Sequence, residues 1–439
     1  MSLAGPSNYQ VLRMEKSDNN NPQSIGVEGK TIAFNYFESL YSPNITADAT
    51  IVDTGDSVVD NKGNLATIKD GFPLEHDGSE TLTFRIANEN GTLTSLKPLI
   101  VTSSPITFDQ STRQILTLDL RSKFAIDSSN NPRLGTYGIG TVDESVKKIL
   151  IENKLPFKNE NIEKSSTVDK IEGKNETPID LIFNLSRKCK PVKGAPGFFF
   201  YETQEGFNFR SIEGLIEQGM REYKENQSIR DVRTYKYFNN QRQDLGSNDD
   251  DYNLVKMPVL KRDHNLLKAL KSGIYNVRIQ TKNLLTGEFI DKIVNLLNKD
   301  SNYLGSKPKK AVDQNENKLE KYCKTYSYVL APGNIDEGVS DKITNNPAEY
   351  EPQAMMRYSM LHSQVLEIQV PCNILLMAGH VIKLEIENVT GSNKVLQREN
   401  QHRSGFYLIL HLSHHFDPKH SYTTMTLARD TYGLYTSSK

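Results

Sequence analysis

Six of the nine histidines fall in one stretch: His380, His402, His411, His414, His415 and His420. Imidazoles at this density are what a metal-dependent hydrolase would draw on, with three nitrogens converging on one ion and an open position for water. The backbone decides whether they can converge. On a β-strand His411 and His415 share a face while His414 points the other way, and no i, i+4 helical pair or cysteine partner completes a tetrahedral set. A hydrolase using the C-terminal histidines is therefore kept as an alternative, and the spacing favours ordinary strand, turn or interface histidines.

Other reactive groups are sparser. Cys189, Cys323 and Cys372 are odd in number, far apart and without C-x-x-C spacing, as in a chain that folds in a reducing compartment without disulfides or a structural zinc. No G-x-S-x-G elbow, G-x-x-x-x-G-K loop or H-E-x-x-H is present. The run Gly135-Thr136-Tyr137-Gly138-Ile139-Gly140 has the glycines of a dinucleotide loop but lacks its strand and acidic residue, and reads as a flexible junction between domains. Arg230 to Arg242 interleaves basic and aromatic residues. That pattern suits a nucleic-acid stripe or a half-buried strand at a subunit edge, and the balanced total charge favours the strand. No residue is assigned a catalytic, cofactor-binding or metal-ligating role, and no cofactor is expected.

Most of these side chains sit on segments that read as strands. In the last sixth of the chain Leu366, Ile368 and Val370 alternate with Glu367 and Gln369, and Ile382, Leu384 and Ile386 alternate with Lys383 and Glu385. Phe406, Leu408, Leu410 and Leu412 make a third apolar row, and Tyr422 to Ala428 a fourth run with Met425 and Leu427 on one side. Four alternating runs with turns between them predict an antiparallel meander, part of a barrel. Near the other end Thr31–Glu38, Ala49–Val52, Pro98–Ser103 and Ile115–Leu120 read as strands, and Leu82, Phe84 and Ile86 alternate with Thr83 and Arg85.

The signal turns helical at Thr141, where Thr141 and Glu144 fit a capping box ahead of Val142, Val146, Ile149 and Leu150, and Pro156 ends the run. Lys158 to Glu176 reads as a charged loop. Thr177 caps a second helix with Pro178 at its first position. The segment FFFYETQEGFNFRS reads as a hairpin turning at Gln204 to Gly206, and Ser211 caps the helix after it. Asp263 to Ser272 is a helix stopped by Gly273, followed by strands at Ile274–Gln280 and Glu288–Asn295 with a turn at Thr286-Gly287.

With 439 residues, about two to four domains are expected. The 53 basic and 54 acidic residues leave a formal net charge of -1, which argues against nucleic acid or an anionic membrane as the main partner. No apolar run approaches the roughly 20 residues that span a bilayer, and MSLAGPSNYQ lacks the charged and apolar regions of a secretory leader, so a soluble chain is expected. The layout is mainly β with an α+β insert. Residues 1–27 form an N-terminal arm, 28–130 a first β domain, 131–225 the insert, 226–298 the start of a second β domain, 299–354 a long loop or an excursion onto another subunit in which only Thr325–Leu330 reads as a strand, and 355–434 the remainder of that second domain.

Four blocks, in this order, resemble the baseplate hub proteins of contractile-tailed bacteriophages. FESLYSPNITADATIVDTGD with DGFPLEHDGSETLTFRI is similar to the first tube-domain strands, with a second strand ending in Asp53. PIDLIFNLSRKCK with GFFFYETQEGFNFRSIEGLI is similar to the α/β module. LLKALKSGIYNVRIQTKNLLTGEF resembles the second tube domain, with Gly273, Tyr275 and Arg278 at matching places. The C-terminal block resembles its close, through Ala378-Gly379, Ser404-Gly405-Phe406-Tyr407 and Arg429-Asp430.

The resemblance implies two tube-type antiparallel β-barrel domains with a smaller α/β module. It also implies a homotrimer whose six tube domains make a pseudo-sixfold ring around a DNA channel, between the hexameric tail tube and the trimeric central spike. Partners would be the central spike protein, the tail tube protein and other baseplate proteins, with transient DNA passage through the lumen and no membrane insertion. The place would be the virion tail baseplate, assembled in the host cytoplasm. Lysozyme activity in such systems belongs to the spike, so the chain is expected not to be an enzyme. A distal tail or tube-terminator adaptor with sixfold assembly is the alternative from the same machinery.

Overall fold

The computed structural model describes residues 8–16, 23–59, 63–72, 74–87, 93–110, 112–129, 133–237, 253–256, 258–284, 287–295, 302–306, 324–330, 347–387, 400 and 402–431. The N-terminal unit comprises β1 (Asn8–Lys16), β2 (Gln23–Gly26), β3 (Thr31–Ser39), β4 (Thr46–Thr54), a small hairpin of β5 (Val58–Val59) and β6 (Leu65–Ala66), helix α1 (Ile68–Gly71), β7 (Glu80–Ala87), β8 (Leu93–Ser95), β9 (Leu99–Ser103), β10 (Ile106–Gln110), β11 (Arg113–Ser122) and helix α2 (Lys123–Ser129). Period-two burial drives it. Ala47, Ala49 and Ile51 of β4 are buried and lie opposite Leu120, Leu118 and Leu116 of β11. Leu82, Phe84 and Ile86 are buried as their alternation predicts.

Residues 1–27, expected as an arm, instead supply β1, which pairs with β7 from Asn8 to Lys16 and carries Leu12 and Met14 into the core. The alternation of Leu12 and Met14 with Arg13 and Glu15 is a strand signal, overshadowed by the neighbouring NNNPQS.

The insert contains β12 (Arg133–Thr141), α3 (Val142–Glu152), β13 (Phe157–Ile162), β14 (Val168–Glu176), α4 (Pro178–Ser186), β15 (Phe198–Thr203), β16 (Gly206–Ser211), α5 (Ile212–Glu225) and α6 (Gln227–Val232). Two expectations fail here. Gly135 to Gly140 is no flexible junction but part of β12, and the charged stretch Lys158 to Glu176 lies largely in β13 and β14. β12 and β14 pair with each other, Gly135 opposite Gly173, so a tertiary partner overrides poor strand propensity. Thr141 precedes α3 as expected, yet its side chain makes no cap hydrogen bond; the Val142 N–H donates to Thr167 O at 3.0 Å instead. The other caps form. Thr177 Oγ1 accepts from Asp180 N at 3.1 Å, and Ser211 Oγ from Gly214 N at 2.9 Å. Phe198, Phe200, Phe207 and Phe209 of the hairpin pack against the apolar stripes of α3 and α4.

The last part contains β17 (Thr234–Tyr237), β18 (Val259–Arg262), α7 (Leu266–Ser272), β19 (Val277–Asn283), β20 (Phe289–Val294), β21 (Lys324–Leu330), α8 (Pro347–Leu361), β22 (Gln364–Pro371), β23 (Val381–Ile386), β24 (Gly405–Phe416) and β25 (Ser421–Arg429). Gly273 stops α7 in the left-handed region at φ 77°, where the absence of a Cβ removes the strain. The strands after it do not enter the second β unit as expected. They form a separate sheet in the order β20-β19-β21, and Val277 and Ile279 bury against Met356 of α8. Within 299–354, expected as a loop or excursion, the Thr325–Leu330 island is β21, parallel to β19, and α8 begins where no element was expected. That helix carries Pro352 in its interior, which removes a backbone donor and hides the helical signal.

A sheet of 15 strands in the order β18-β22-β25-β24-β3-β4-β11-β9-β7-β1-β2, with β8, β10, β17 and β23 off that path, joins the two β units. β24 is the splice. Its first residues pair with β23, Val381 opposite Leu408, and its later ones pair with β3, His411 opposite Ser39 through Phe416 opposite Phe34, while β25 runs along its other edge. The partner changes at a bulge between Ile409 and His411, where the Leu410 carbonyl accepts from Leu40 N at 2.9 Å. The apolar row expected on one side of this strand is apolar on both. Leu408 and Leu410 pack under α5, whereas Tyr407, Ile409 and Leu412 face the other core. Among the described residues no helix is long and apolar enough to cross a membrane.

Candidate functional site

β24 disperses the histidines. His411 is exposed, with its ring 5.6 Å from that of Tyr41; His414 is fully buried, its Nδ1 2.9 Å from Thr423 Oγ1; His415 lies 2.5 Å from Asn35 Oδ1 and stacks on Tyr422 at 4.5 Å. Burial lowers the pKa of His414 to about 4, so its ring is neutral. His380 Nδ1 accepts from Met377 N at 3.2 Å, and burial, with Arg233 nearby, holds its pKa well below the ordinary value. His402 hydrogen-bonds Asn400 through its backbone, and His420 lies 3.6 Å from Asp417. Among the described residues no three His, Cys, Asp or Glu side chains are grouped to hold a metal ion. Cys189 and Cys372 are buried free thiols; Cys323 lies outside the described residues.

Of the residues that carried the resemblance, Ser404, Tyr407, Arg429 and Asp430 sit in buried polar nodes. Arg429, fully buried, donates from Nη1 to Ser404 O at 2.7 Å and from Nη2 to Gln364 Oε1 at 2.8 Å and to His402 O, and its guanidinium lies 4.8 Å from the Tyr407 ring centre. Tyr407 Oη reaches Gln364 Oε1 at 2.9 Å and Arg403 O at 2.6 Å. The backbone leading into β24 is thus tied to the end of β25. Asp430 joins a second node. There Arg357 of α8, 1% exposed, donates from Nε to Glu213 Oε1, from Nη1 to Asp430 Oδ2 and from Nη2 to Asn302 O, all at 2.9 Å. Leu304 N donates to Asp430 Oδ1 at 3.0 Å, and Asn302 N to Glu213 Oε2 at 2.5 Å. Burial lowers the Arg357 pKa and the two carboxylates more than offset it, so the guanidinium stays charged. A fork of fixed donors suits two carboxylates and a carbonyl in a way an ammonium cannot.

Asp53 is buried too, accepting from Ile68 N at 2.8 Å and Gln114 Nε2 at 2.7 Å, and so anchors α1. Tyr275 is buried beside His264, and Arg278 makes an exposed bidentate pair with Asp291 across β19 and β20. In the basic and aromatic run, Arg230 folds back onto the Lys224 carbonyl at 2.8 Å, Arg233 pairs with Glu222 at 2.8 Å, and Tyr235 is buried on β17. These groups bind their own chain. Residues 238–242 of this run lie outside the described residues.

Glu38, Glu202, Glu213 and Arg357 were not singled out from sequence. Glu38 had a legible signal, because it shares a strand face with Phe34 and Tyr36. Arg357 lies on the buried stripe of α8 with Gln353, Met360 and Leu361, but only once the helix is known.

At the seam between the insert and the two β units, Glu38 Oε1 accepts from Gln204 N at 3.1 Å and from the Tyr36 hydroxyl at 3.0 Å, and Oε2 accepts from Ala378 N at 3.0 Å. α5 lies so close to β23 that a Cβ on Gly219 would collide with Val381. Alongside runs a cleft of about 540 Å³ lined by residues including Arg210, Tyr201, Asn208, Glu222, Leu375 and His380. Among the described residues no group of three His, Cys, Asp or Glu side chains there could hold a metal ion. The arrangement ties together segments far apart in sequence.

No family model matches the sequence, and no curated protein matches it. Among solved structures, the chain is similar to the tail protein from Neisseria meningitidis MC58, with a TM-score of 0.51, 11% identity, and coverage of 96% of this chain and 97% of that one. It is likewise similar to the 43 kDa tail protein of prophage MuSo2 from Shewanella oneidensis, with a TM-score of 0.51, 11% identity, and coverage of 96% and 98%. The chain has the fold of these two proteins, mainly β with an α+β insert.

Proposed function

We propose that the protein is a structural component of a phage tail baseplate, the hub ring between tail tube and central spike. The observation that carries this is the splice through β24, which bonds two β units of one chain into a single sheet with the insert clamped against it. A subunit built so can contribute two neighbouring positions to a ring, and three copies then make a pseudo-sixfold annulus that suits a sixfold tube and a threefold spike. The fold shared with two tail proteins supports the reading, as does the order of the four sequence blocks. In it the homotrimer binds the spike, the tube protein and other baseplate proteins. DNA passes through the lumen without sequence-specific contacts, and the protein resides in the virion and catalyses nothing. Its residues serve assembly; the buried nodes keep the ring element stiff.

Light scattering on the purified protein, alone and with its spike partner, tests this, together with electron microscopy of the particles. Threefold rings with a central hole are expected. Sixfold rings would favour the distal tail or terminator adaptor, and a monomer that binds neither spike nor tube protein would overturn the proposal.

A further inference from the structure

We propose that the cleft of about 540 Å³ between the insert and the second β unit binds an extended, uncharged peptide segment of a partner protein. Its walls hold polar side chains that the chain itself leaves open. Tyr201 of β15, 3% exposed, makes no side-chain hydrogen bond among the described residues, and its hydroxyl stands where a Cβ on Gly379 would collide with it. Asn161 of β13, 8% exposed, has an amide that is likewise without a partner among them. Buried polar groups are hydrogen-bonded roughly nine times in ten, so two such groups lining one cleft call for an occupant.

The donors beside them are held in place. Arg233, 7% exposed, donates from Nη1 to Glu222 Oε2 at 2.8 Å, and Glu222 Oε1 accepts from Gln218 Nε2 at 2.5 Å. That pairing leaves the Nε and Nη2 edge of the guanidinium, two parallel N–H groups, for an outside oxygen. His380 Nδ1 accepts from Met377 N at 3.2 Å, so the proton of this neutral ring sits on Nε2, whose N–H finds no acceptor among the described residues.

Charge selects the class of occupant. Arg233 is matched by Glu222, Lys158 by Glu205 at 2.8 Å and Arg210 by Glu163 at 3.7 Å, while Glu160 adds a carboxylate at the exposed rim. A free carboxylate or phosphate would bring its charge to a site with no spare cation. A peptide unit instead brings a carbonyl for the open donors and an N–H for the Asn161 amide oxygen, at no cost in charge. Leu375, 39% exposed, lines the cleft with Ile374 and Met377 and would take an apolar side chain from the same segment. Tyr201 is the only Phe, Tyr or Trp among the lining residues, and its buried ring offers no face on which a base or a sugar could stack.

Selection of a random seven-residue peptide library on the immobilised full chain tests this, with affinities of the selected peptides read by fluorescence anisotropy. Uncharged sequences carrying an apolar residue should be enriched. Their affinity should fall about three- to tenfold in Tyr201→Phe, which removes one hydroxyl, and about tenfold or more in Leu375→Glu. The second variant changes an exposed position and keeps the test should the first not fold. No enrichment would mean that water alone fills the cleft and would overturn the proposal, as would enriched peptides whose binding neither variant changes. Acidic sequences would overturn the uncharged segment, and sequences shared with this chain would overturn the partner protein in favour of a second copy. The cleft lies within one chain, so peptide binding by a monomer would count against the ring alone, and the two readings fail separately.

Discussion

Replacing Arg357 by Met keeps the bulk of the side chain and removes its charge, leaving Glu213 and Asp430 buried with no cation between them. Removing one partner of a buried ion pair costs about 3–5 kcal/mol, and here two carboxylates lose the same partner. The N–H groups of Leu304 and Asn302 still solvate them, which holds the expected loss to about 4 kcal/mol rather than twice that. Against a total stability of about 5–15 kcal/mol, such a loss moves the urea midpoint by about 1 M or more. Urea unfolding followed by circular dichroism measures it, and hydrogen exchange at Asn302–Gly305 should localise the opening there. Arg357→Lys is expected to recover only part of the loss, because one ammonium cannot serve three acceptors fixed by a planar fork. Adding Glu213→Gln and Asp430→Asn to Arg357→Met should restore about 2 kcal/mol by removing the stranded charges. An Arg357→Met protein within about 1 kcal/mol of the wild type would refute the assignment of this node as a structural tie.

His414 keeps a depressed pKa of about 4 when folded, against 6.5 in the unfolded chain, so stability from this group is present above the unfolded value and lost as pH falls toward 4. The swing is about 3 kcal/mol, so His414→Gln should flatten the acid-side loss, read by urea unfolding at pH 4 to 7. Gly219→Val should drive a branched side chain into Val381 and cost about 1–3 kcal/mol, detectable as increased proteolysis between insert and sheet; wild-type resistance would deny that α5 docks there. Arg429→Met should destabilise by about 3 kcal/mol and raise exchange at Ser404, and unchanged exchange would refute the tie between β25 and the start of β24. Metal analysis of the pure protein should find no stoichiometric ion, and a metal lost on His411→Ala or His415→Ala would revive the hydrolase alternative.

Much of the fold was legible because period-two burial is a local property. Leu366, Ile368 and Val370, or Leu82, Phe84 and Ile86, announce one buried face whatever lies on it. Caps at Thr177, Ser211 and Gly273 were legible for the same reason, since donor, acceptor and backbone conformation lie within a few residues. The strand at β12 escaped because its partner β14 supplies what local propensity does not, and β1 because the neighbouring NNNPQS overshadowed its alternation. α8 escaped because Pro352 breaks its pattern, and Arg357 could not be picked out before the helix was known.

Sequence by itself settled the mainly β class and the scattering of His411, His414 and His415 over opposite faces, both consequences of alternation along strands. Tertiary structure alone decided that the two β units share one sheet, because that rests on β24 changing partner at a bulge from β23 to a strand some 370 positions away in the chain. It alone decided the nodes around Glu38, Arg357 and Arg429 as well. A buried charge is tolerable only where donors and acceptors from distant segments converge on it, and no spacing along the chain encodes that convergence.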